Sequence, residues 1–268
     1  MLNCLTIDLE PWMCYYDVCS LNKRLDNNQT VELTHQLLDI FERHDVESTF
    51  FVMGEVYDWY PELIEEIASS GHEIAFHTST HIKIRDEKLL TRELKLCRNL
   101  FTKFNVVGFR APQMTFPYNA IKILSKNGFK YDSSIYSSIG RPFKVEGILE
   151  VPVSTYPILK NESRQTFPRT LSDAVKNLEI PFGSGYSMGL LSTNLLNKFI
   201  MSFNRQNKSA VLFIHPWQLS KLPELQRKIG EHIIKFPYRI KISKEKLESI
   251  LANHQFSTIK DLIKEYKV

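Results

Sequence analysis

Glu73-Ile74-Ala75-Phe76-His77-Thr78-Ser79-Thr80-His81 is the stretch from which the fold is read. The apolar run before His77 reads as a buried strand. Two histidines four positions apart follow it, and that spacing points both imidazoles the same way. Neutral imidazole is a good ligand for zinc or nickel. A catalytic metal site takes three protein ligands and keeps one position for water. The pair therefore needs a third donor, a carboxylate or another histidine, from elsewhere in the chain.

Outward from this strand, apolar strand-like runs alternate with amphipathic helical ones, which predicts an α/β fold with a largely parallel sheet. Leu2 to Ile7, Ser48 to Val52, Val106 to Phe109, Leu149 to Val153 and Ala210 to Ile214 read as further strands. Thr30 to Arg43, Pro61 to Ser70, Asn119 to Ser125 and Thr193 to Asn204 read as helices, with Asp86 to Phe104 the longest. Pro152 marks a sheet edge or a strand end. Gly183-Ser184-Gly185-Tyr186 reads as a tight loop, not a phosphate cradle, since no helix with a lysine follows. Residues 243–266 carry two short amphipathic helices.

The chain of 268 residues is 43% hydrophobic and 24% charged, with a net charge of +4. That is too apolar for disorder. No dense Lys/Arg tract with interleaved aromatics appears, so nucleic acid is not an expected partner. The four cysteines, Cys4, Cys14, Cys19 and Cys97, form no C-x-x-C pair and read as buried thiols. No signal peptide and no apolar run of 18 residues is visible, so the expectation is a cytoplasmic protein without an integral membrane segment, with room for peripheral membrane contact and for oligomers.

Asp8, His77, Arg110, Asp132 and His215 each follow an expected strand. Parallel α/β proteins gather their chemistry at the C-terminal ends of strands. Asp8 and Glu10 alternate along the chain and share a face. A hydrolytic metal site wants one carboxylate as ligand and often another as general base. Taken singly, each residue has a plain structural reading: Asp132 before Ser133-Ser134 as a helix N-cap, Arg110 in a surface salt bridge, His215 as a satisfied buried histidine. His35, His44, His72, His232 and His254 lack such a setting and read as surface or structural.

Together these motifs resemble the polysaccharide deacetylases, the NodB-homology or carbohydrate esterase family 4 proteins. Leu5 to Glu10, Ser48 to Phe51, His77 to His81, Gly108 to Pro112, Tyr131 to Ser134 and Leu212 to His215 stand in the family's order over roughly residues 2–220. Gly183 to Tyr186 and Phe213 to Trp217 look like a branch associated with exopolysaccharide and surface-glycan gene clusters. The resemblance implies a distorted (β/α) barrel of about seven parallel strands over 1–220 and a helical C-terminal extension over 221–268 packed on it. It also implies a divalent metal, commonly zinc, on His77 and His81, with Asp8 as general base, His215 as general acid, Arg110 orienting Asp8, and Asp132 tuning or orienting His215. Most of the family has two adjacent acids in the first motif. Here the second is Leu9, and Glu10 fits the spacing of members whose metal-binding acid lies two residues after the base.

The implied reaction removes an N-acetyl group from an amino sugar of a polysaccharide or surface-glycan precursor. Trp12, Pro112, Tyr186 and Trp217 are the expected substrate contacts. A metal-free amidase acting on a non-sugar amide, and an inactive glycan-binding module using its aromatic groove, are the alternatives.

Overall fold

The computed structural model describes residues 1–16, 23–159, 166–220 and 240–266. Cys19, His232 and much of the 221–268 extension lie outside them. The sheet strands are β1 (Cys4–Leu9), β2 (Thr49–Val52), β3 (Glu73–Phe76), β4 (Gly108–Phe109), β5 (Tyr131–Asp132), β7 (Phe143–Val145), β8 (Ile148–Glu150) and β12 (Val211–Ile214). Two small pairs accompany them: β6 (Tyr136–Ser137) with β9 (Val153–Ser154), and β10 (Tyr156–Pro157) with β11 (Glu179–Ile180). The large sheet runs β12-β1-β2-β3-β4-β5-β8-β7. From β12 to β8 its seven strands are parallel, and β7 adds an antiparallel edge to β8. The sheet is thus the expected distorted barrel with one strand more.

Each strand alternates between two apolar surroundings. Leu5, Ile7, Leu9, Phe50, Val52, Ile74, Phe76, Leu212 and Ile214 face the main core with the surrounding helices, while Cys4, Phe51, Ala75, Tyr131, Leu149 and Val211 form a second cluster on the other face. The helices are held by ordinary local rules. Gln29–Arg43 buries Leu33, Leu37, Leu38, Ile40 and Phe41, Pro61 starts Pro61–Ser69, and Asp86 caps Glu87–Leu96 through the N–H of Leu89 at 2.8 Å.

The side opposite β3 closes without a ladder. Ser154 Oγ accepts the N–H of Val211 at 2.9 Å, and the Gly183 carbonyl accepts that of Phe213 at 2.8 Å. A Cβ on Gly183 would lie 2.4 Å from the Val211 carbonyl oxygen, so only glycine allows this approach. The C-terminal segment covers the end of the sheet where the parallel strands begin. Asn3 bridges to Phe256, and Ile259, Leu262 and Ile263 join the second apolar cluster. Two amides of the last helical turn reach the sheet: Ile259 N–H donates to Thr49 Oγ1 at 2.8 Å, and Lys260 N–H to Glu73 Oε2 at 2.9 Å.

Several expected elements shift. β1 runs Cys4–Leu9, not 2–7, because Asn3 is spent on Ala210, Asn204 and Gln255, and the ladder with β12 starts at Cys4. The expected 86–104 helix breaks at Cys97 into Glu87–Leu96 and Arg98–Phe104, which leaves Leu96 exposed. The expected 149–153 strand splits at Pro152, which has no N–H to give a ladder. Gly185 opens a short helix, Gly185–Leu190, capped by Ser184.

Candidate active site

Three features bring the acids and histidines together. The first is the end of β1. Glu10 N–H bonds back to the Asp8 carbonyl at 3.0 Å, a tight three-residue turn. Asp8, still inside the strand, and Glu10, just past it, line the same cavity.

The second feature is the histidine loop. It is no helical turn: Thr78 and His81 both have left-handed backbone, with φ of 62° and 54°. That conformation is costly for a β-branched threonine, and such strain collects at functional sites. The loop is pinned from two sides. Gly54 and Glu55 N–H groups, at the start of helix Gly54–Trp59, donate to the Thr78 and Ser79 carbonyls at 2.9 and 3.0 Å. A Cβ on Gly54 would lie 2.3 Å from Cys97 Sγ and 3.0 Å from Ser79 Cα, so a larger residue would push the loop away. From the other side, buried Glu93 Oε2 accepts the Ser79 and Thr80 N–H groups at 2.9 and 3.0 Å and the Thr80 hydroxyl at 3.2 Å.

The third feature is the fully buried Arg110, one residue past β4. Its Nη1 donates to Asp8 Oδ1 and to Thr6 Oγ1, each at 2.7 Å. Its Nε and Nη2 donate to the Ser133 carbonyl and hydroxyl at 3.0 and 2.8 Å. The guanidinium also lies 4.1 Å from the Phe51 ring centroid. These contacts hold Asp8 in one orientation.

Glu10 is the centre of the cluster. Its Oε2 contacts His81 Nε2 and lies 3.6 Å from His77 Nε2, and its Oε1 lies 3.4 Å from His215 Nε2. Burial works to raise its pKa, but the positive character of His81 and His215, with hydrogen bonds from His77 and His81, holds it well below the ordinary glutamate value. His77 Nδ1 lies 2.9 Å from the Arg110 carbonyl, which can only accept. Nδ1 therefore carries a proton, and Nε2, which faces the carboxylate, donates to it when the ring is protonated and offers a lone pair when the ring is neutral. Two acceptors aimed at one point, with the far imidazole nitrogen fixed by a backbone carbonyl, suit a divalent metal. Glu10, His77 and His81 could hold such an ion.

His215 enters from the opposite wall. Gln218 Oε1 lies 3.1 Å from its Nδ1 and accepts its backbone N–H at 2.9 Å, while Gln218 Nε2 donates to the Gly185 carbonyl at 2.9 Å. Trp217 stacks on the ring at 4.6 Å and 21°. The cavity between these walls holds about 300 Å³, and Lys83, Gln113, Tyr136 and Tyr186 also line it.

Asp132 is not with His215. Its strand neighbour Tyr131 faces the second apolar cluster, so alternation turns Asp132 the other way. There it accepts Ser134 Oγ at 2.5 Å and pairs with Glu150, its register partner on β8. Burial pushes Asp132 up to about 6 and Glu150 well above the ordinary carboxylate range; the Asp132 charge further opposes ionisation of Glu150, whose hydrogen bond in turn favours ionised Asp132. Of the expected substrate contacts, Tyr186 lines the cavity. Trp12, Pro112 and Trp217 are buried and offer no open ring face, while Ala111, Gln113 and Met114 around Pro112 reach the cavity. Glu93 and Gln218 were not singled out by sequence. Their one signal is placement: an acid on the apolar stripe of Leu90 and Leu94, and an amide three residues after His215.

Comparison with known proteins agrees with this geometry. A family model described as polysaccharide deacetylase matches residues 16–131, and a second, a domain of unknown function (DUF3473), matches 133–264. A chitooligosaccharide deacetylase of Rhizobium leguminosarum bv. trifolii is 36% identical over 72 residues, covering 26% of this chain and 34% of its own. A peptidoglycan deacetylase of Helicobacter pylori is 28% identical over 116 residues, covering 41% of this chain and 39% of its own. The chain thus spans little more than a third of the length of these relatives. A solved Mycobacterium smegmatis structure assigned as a polysaccharide deacetylase superposes over 98% of this chain and 89% of its own, with a TM-score of 0.62 at 21% identity, a likeness of fold. The motif residues gathered at one end of the sheet thus fall in a chain whose residues 16–131 match the polysaccharide deacetylase model and whose residues 133–264 match the domain of unknown function.

Proposed function

We propose that this protein is a metal-assisted hydrolase that removes the acetyl group from an N-acetylated amino sugar in an oligosaccharide or surface-glycan precursor. One observation carries the reading: an Arg110-held Asp8, the Glu10–His77–His81 cluster and His215 meet around one cavity. Relatives named for deacetylating chitooligosaccharide and peptidoglycan support the amino-sugar substrate.

A divalent metal held by Glu10, His77 and His81 would act as a Lewis acid on the acetyl carbonyl. The chain's own groups divide the proton work. Asp8 takes the proton of the attacking water, and Arg110 keeps its carboxylate aimed. His215 gives a proton from Nε2 to the departing amine. Gln218 accepts from Nδ1 and so orients the ring with Nε2 toward the cavity. Tyr186, Tyr136 and Leu171 shape the wall against which a sugar would lie.

The test is acetate release from N-acetylated chito-oligosaccharides by zinc-loaded protein, beside Asp8→Asn. Activity in the wild type and a loss of about 10²–10⁴-fold in the variant, at unchanged zinc content, is the expected result. Zinc-loaded wild type that releases no acetate from any N-acetylated sugar would defeat the reading.

A further inference from the structure

Cys14 has no part in the roles above, yet it stands inside the metal cluster. The short 3-10 turn Trp12–Tyr16 follows directly on β1 and folds the chain back, with Cys14 N–H donating to the Pro11 carbonyl at 3.0 Å. This brings the fully buried thiol beside Glu10, four residues earlier. Single donor atoms from Glu10, Cys14 and His81 all lie within 4.8 Å of one another. Two donors on one tetrahedral zinc sit about 3.5 Å apart, so a small side-chain adjustment would put the three on one ion. The sulfur also lies 3.6 Å from the Met53 thioether, a soft and weak partner. The other described cysteines lie elsewhere: Cys4 points to the Thr258 carbonyl at 3.6 Å, and Cys97 packs beneath Gly54.

We infer that Cys14 is a ligand of the metal site, a fourth protein donor beside Glu10, His77 and His81 on an ion that would still take the acetyl oxygen by expanding its shell. The inference rests on the metal reading of Glu10, His77 and His81. On ligation the thiol gives its proton to solvent and the sulfur binds as thiolate. Thiolate and carboxylate together balance the charge of a divalent ion. A sulfur donor also moves the site away from manganese and magnesium, which prefer oxygen, toward zinc and cobalt. Cys14 belongs to the main apolar core, and its sulfur lies where that core meets a carboxylate and an imidazole.

The experiment is zinc X-ray absorption on the zinc-loaded full chain, beside Cys14→Ser and Cys19→Ser. The expected wild-type spectrum shows one sulfur at about 2.3 Å among nitrogen and oxygen neighbours at about 2.0–2.1 Å. Sulfur should persist in Cys19→Ser and vanish in Cys14→Ser, whose zinc affinity should fall by about tenfold or more. Cobalt(II) gives a second readout: a sulfur-to-cobalt charge-transfer band in wild type, lost in Cys14→Ser. A wild-type shell of nitrogen and oxygen alone overturns the assignment while leaving Glu10, His77 and His81 standing, and it does so even if Cys14→Ser fails to fold. Sulfur that persists in Cys14→Ser also overturns it. Zinc and cobalt that fail to bind at all overturn the metal reading and this inference together.

Discussion

The chain before Tyr131 and the chain after it build their shares of the same barrel by different means. β1, β2 and β3 are six, four and four residues long and are held by continuous parallel ladders. β5 to β11 are two or three residues each, and side chains do much of the holding. Arg169, paired with Glu179 at 2.7 Å, also donates to the Tyr136 carbonyl. Lys208 donates to that of Ser138 at 3.2 Å, and Ser154 bridges to β12. The family models divide at the same point, 131 against 133, although β5 pairs with β4 on one side and β8 on the other. The seam is therefore one of sequence and not of structure. The long-ladder half carries Asp8, Glu10, His77, His81 and Arg110, which must be held rigidly. The second half supplies Tyr136, Leu171 and Tyr186 of the wall, and His215 with its Gln218 brace at the end of β12, which is laddered on β1.

If that division of labour is right, the largest effect reserved to the second half is on proton delivery. His215→Ala should lower kcat on N-acetylated chito-oligosaccharides by about 10²–10⁴-fold and leave zinc content unchanged. Gln218→Ala should cost less, about tenfold in kcat, because Nδ1 loses the acceptor that orients the ring. A kcat equal to that of wild type would reduce Gln218 to a strut for Gly185.

The same contrast explains what could be read from residue order. Gln29–Arg43, Pro61–Ser69 and Thr193–Arg205 announce themselves by apolar stripes, with Pro61 and Ser192 marking the starts of two of them, and β2, β3 and β12 by unbroken apolar runs. Two-residue strands have no period to detect, so the stretch around Arg169 and Glu179 stays opaque. The site residues were legible as types and spacings, but the forces that aim them were not. Nothing local reveals that Thr78 and His81 adopt left-handed backbone, or that Glu93, twelve residues past His81, holds the loop. Asp132 misleads for a related reason. Its motif marks the right strand, but alternation sends its side chain to the far face.

Within the first half, Glu93 tests whether rigidity matters. Glu93→Gln keeps the shape but trades a charged acceptor of three hydrogen bonds for a neutral amide. Zinc affinity should fall by about 10–100-fold, as for other residues that orient metal ligands. Stability should drop by about 1–3 kcal/mol in urea unfolding. Loss of stability with zinc affinity intact would mean that the loop keeps its shape without this brace.

The smallest effect lies at the seam itself. Asp132 and Glu150 are both fully buried, and Arg110 is the nearby cation that favours ionised Asp132. Both acids have raised pKa values in the fold, so the native state keeps protons that the unfolded chain has released above about pH 4. Their contribution to stability is full below that pH and is lost as pH rises, through about 6 for Asp132. Glu150→Gln removes one titrating group and keeps an amide that can donate to the other. Going from pH 4.5 to 8, urea unfolding should show the variant gaining on wild type by on the order of 2 kcal/mol. Parallel curves would mean that the pair carries no shared proton. The variant's kcat–pH profile should match that of wild type, because the pair faces away from the cavity. A displaced basic limb would instead couple Asp132 to His215 and restore the role that the motif alone implies.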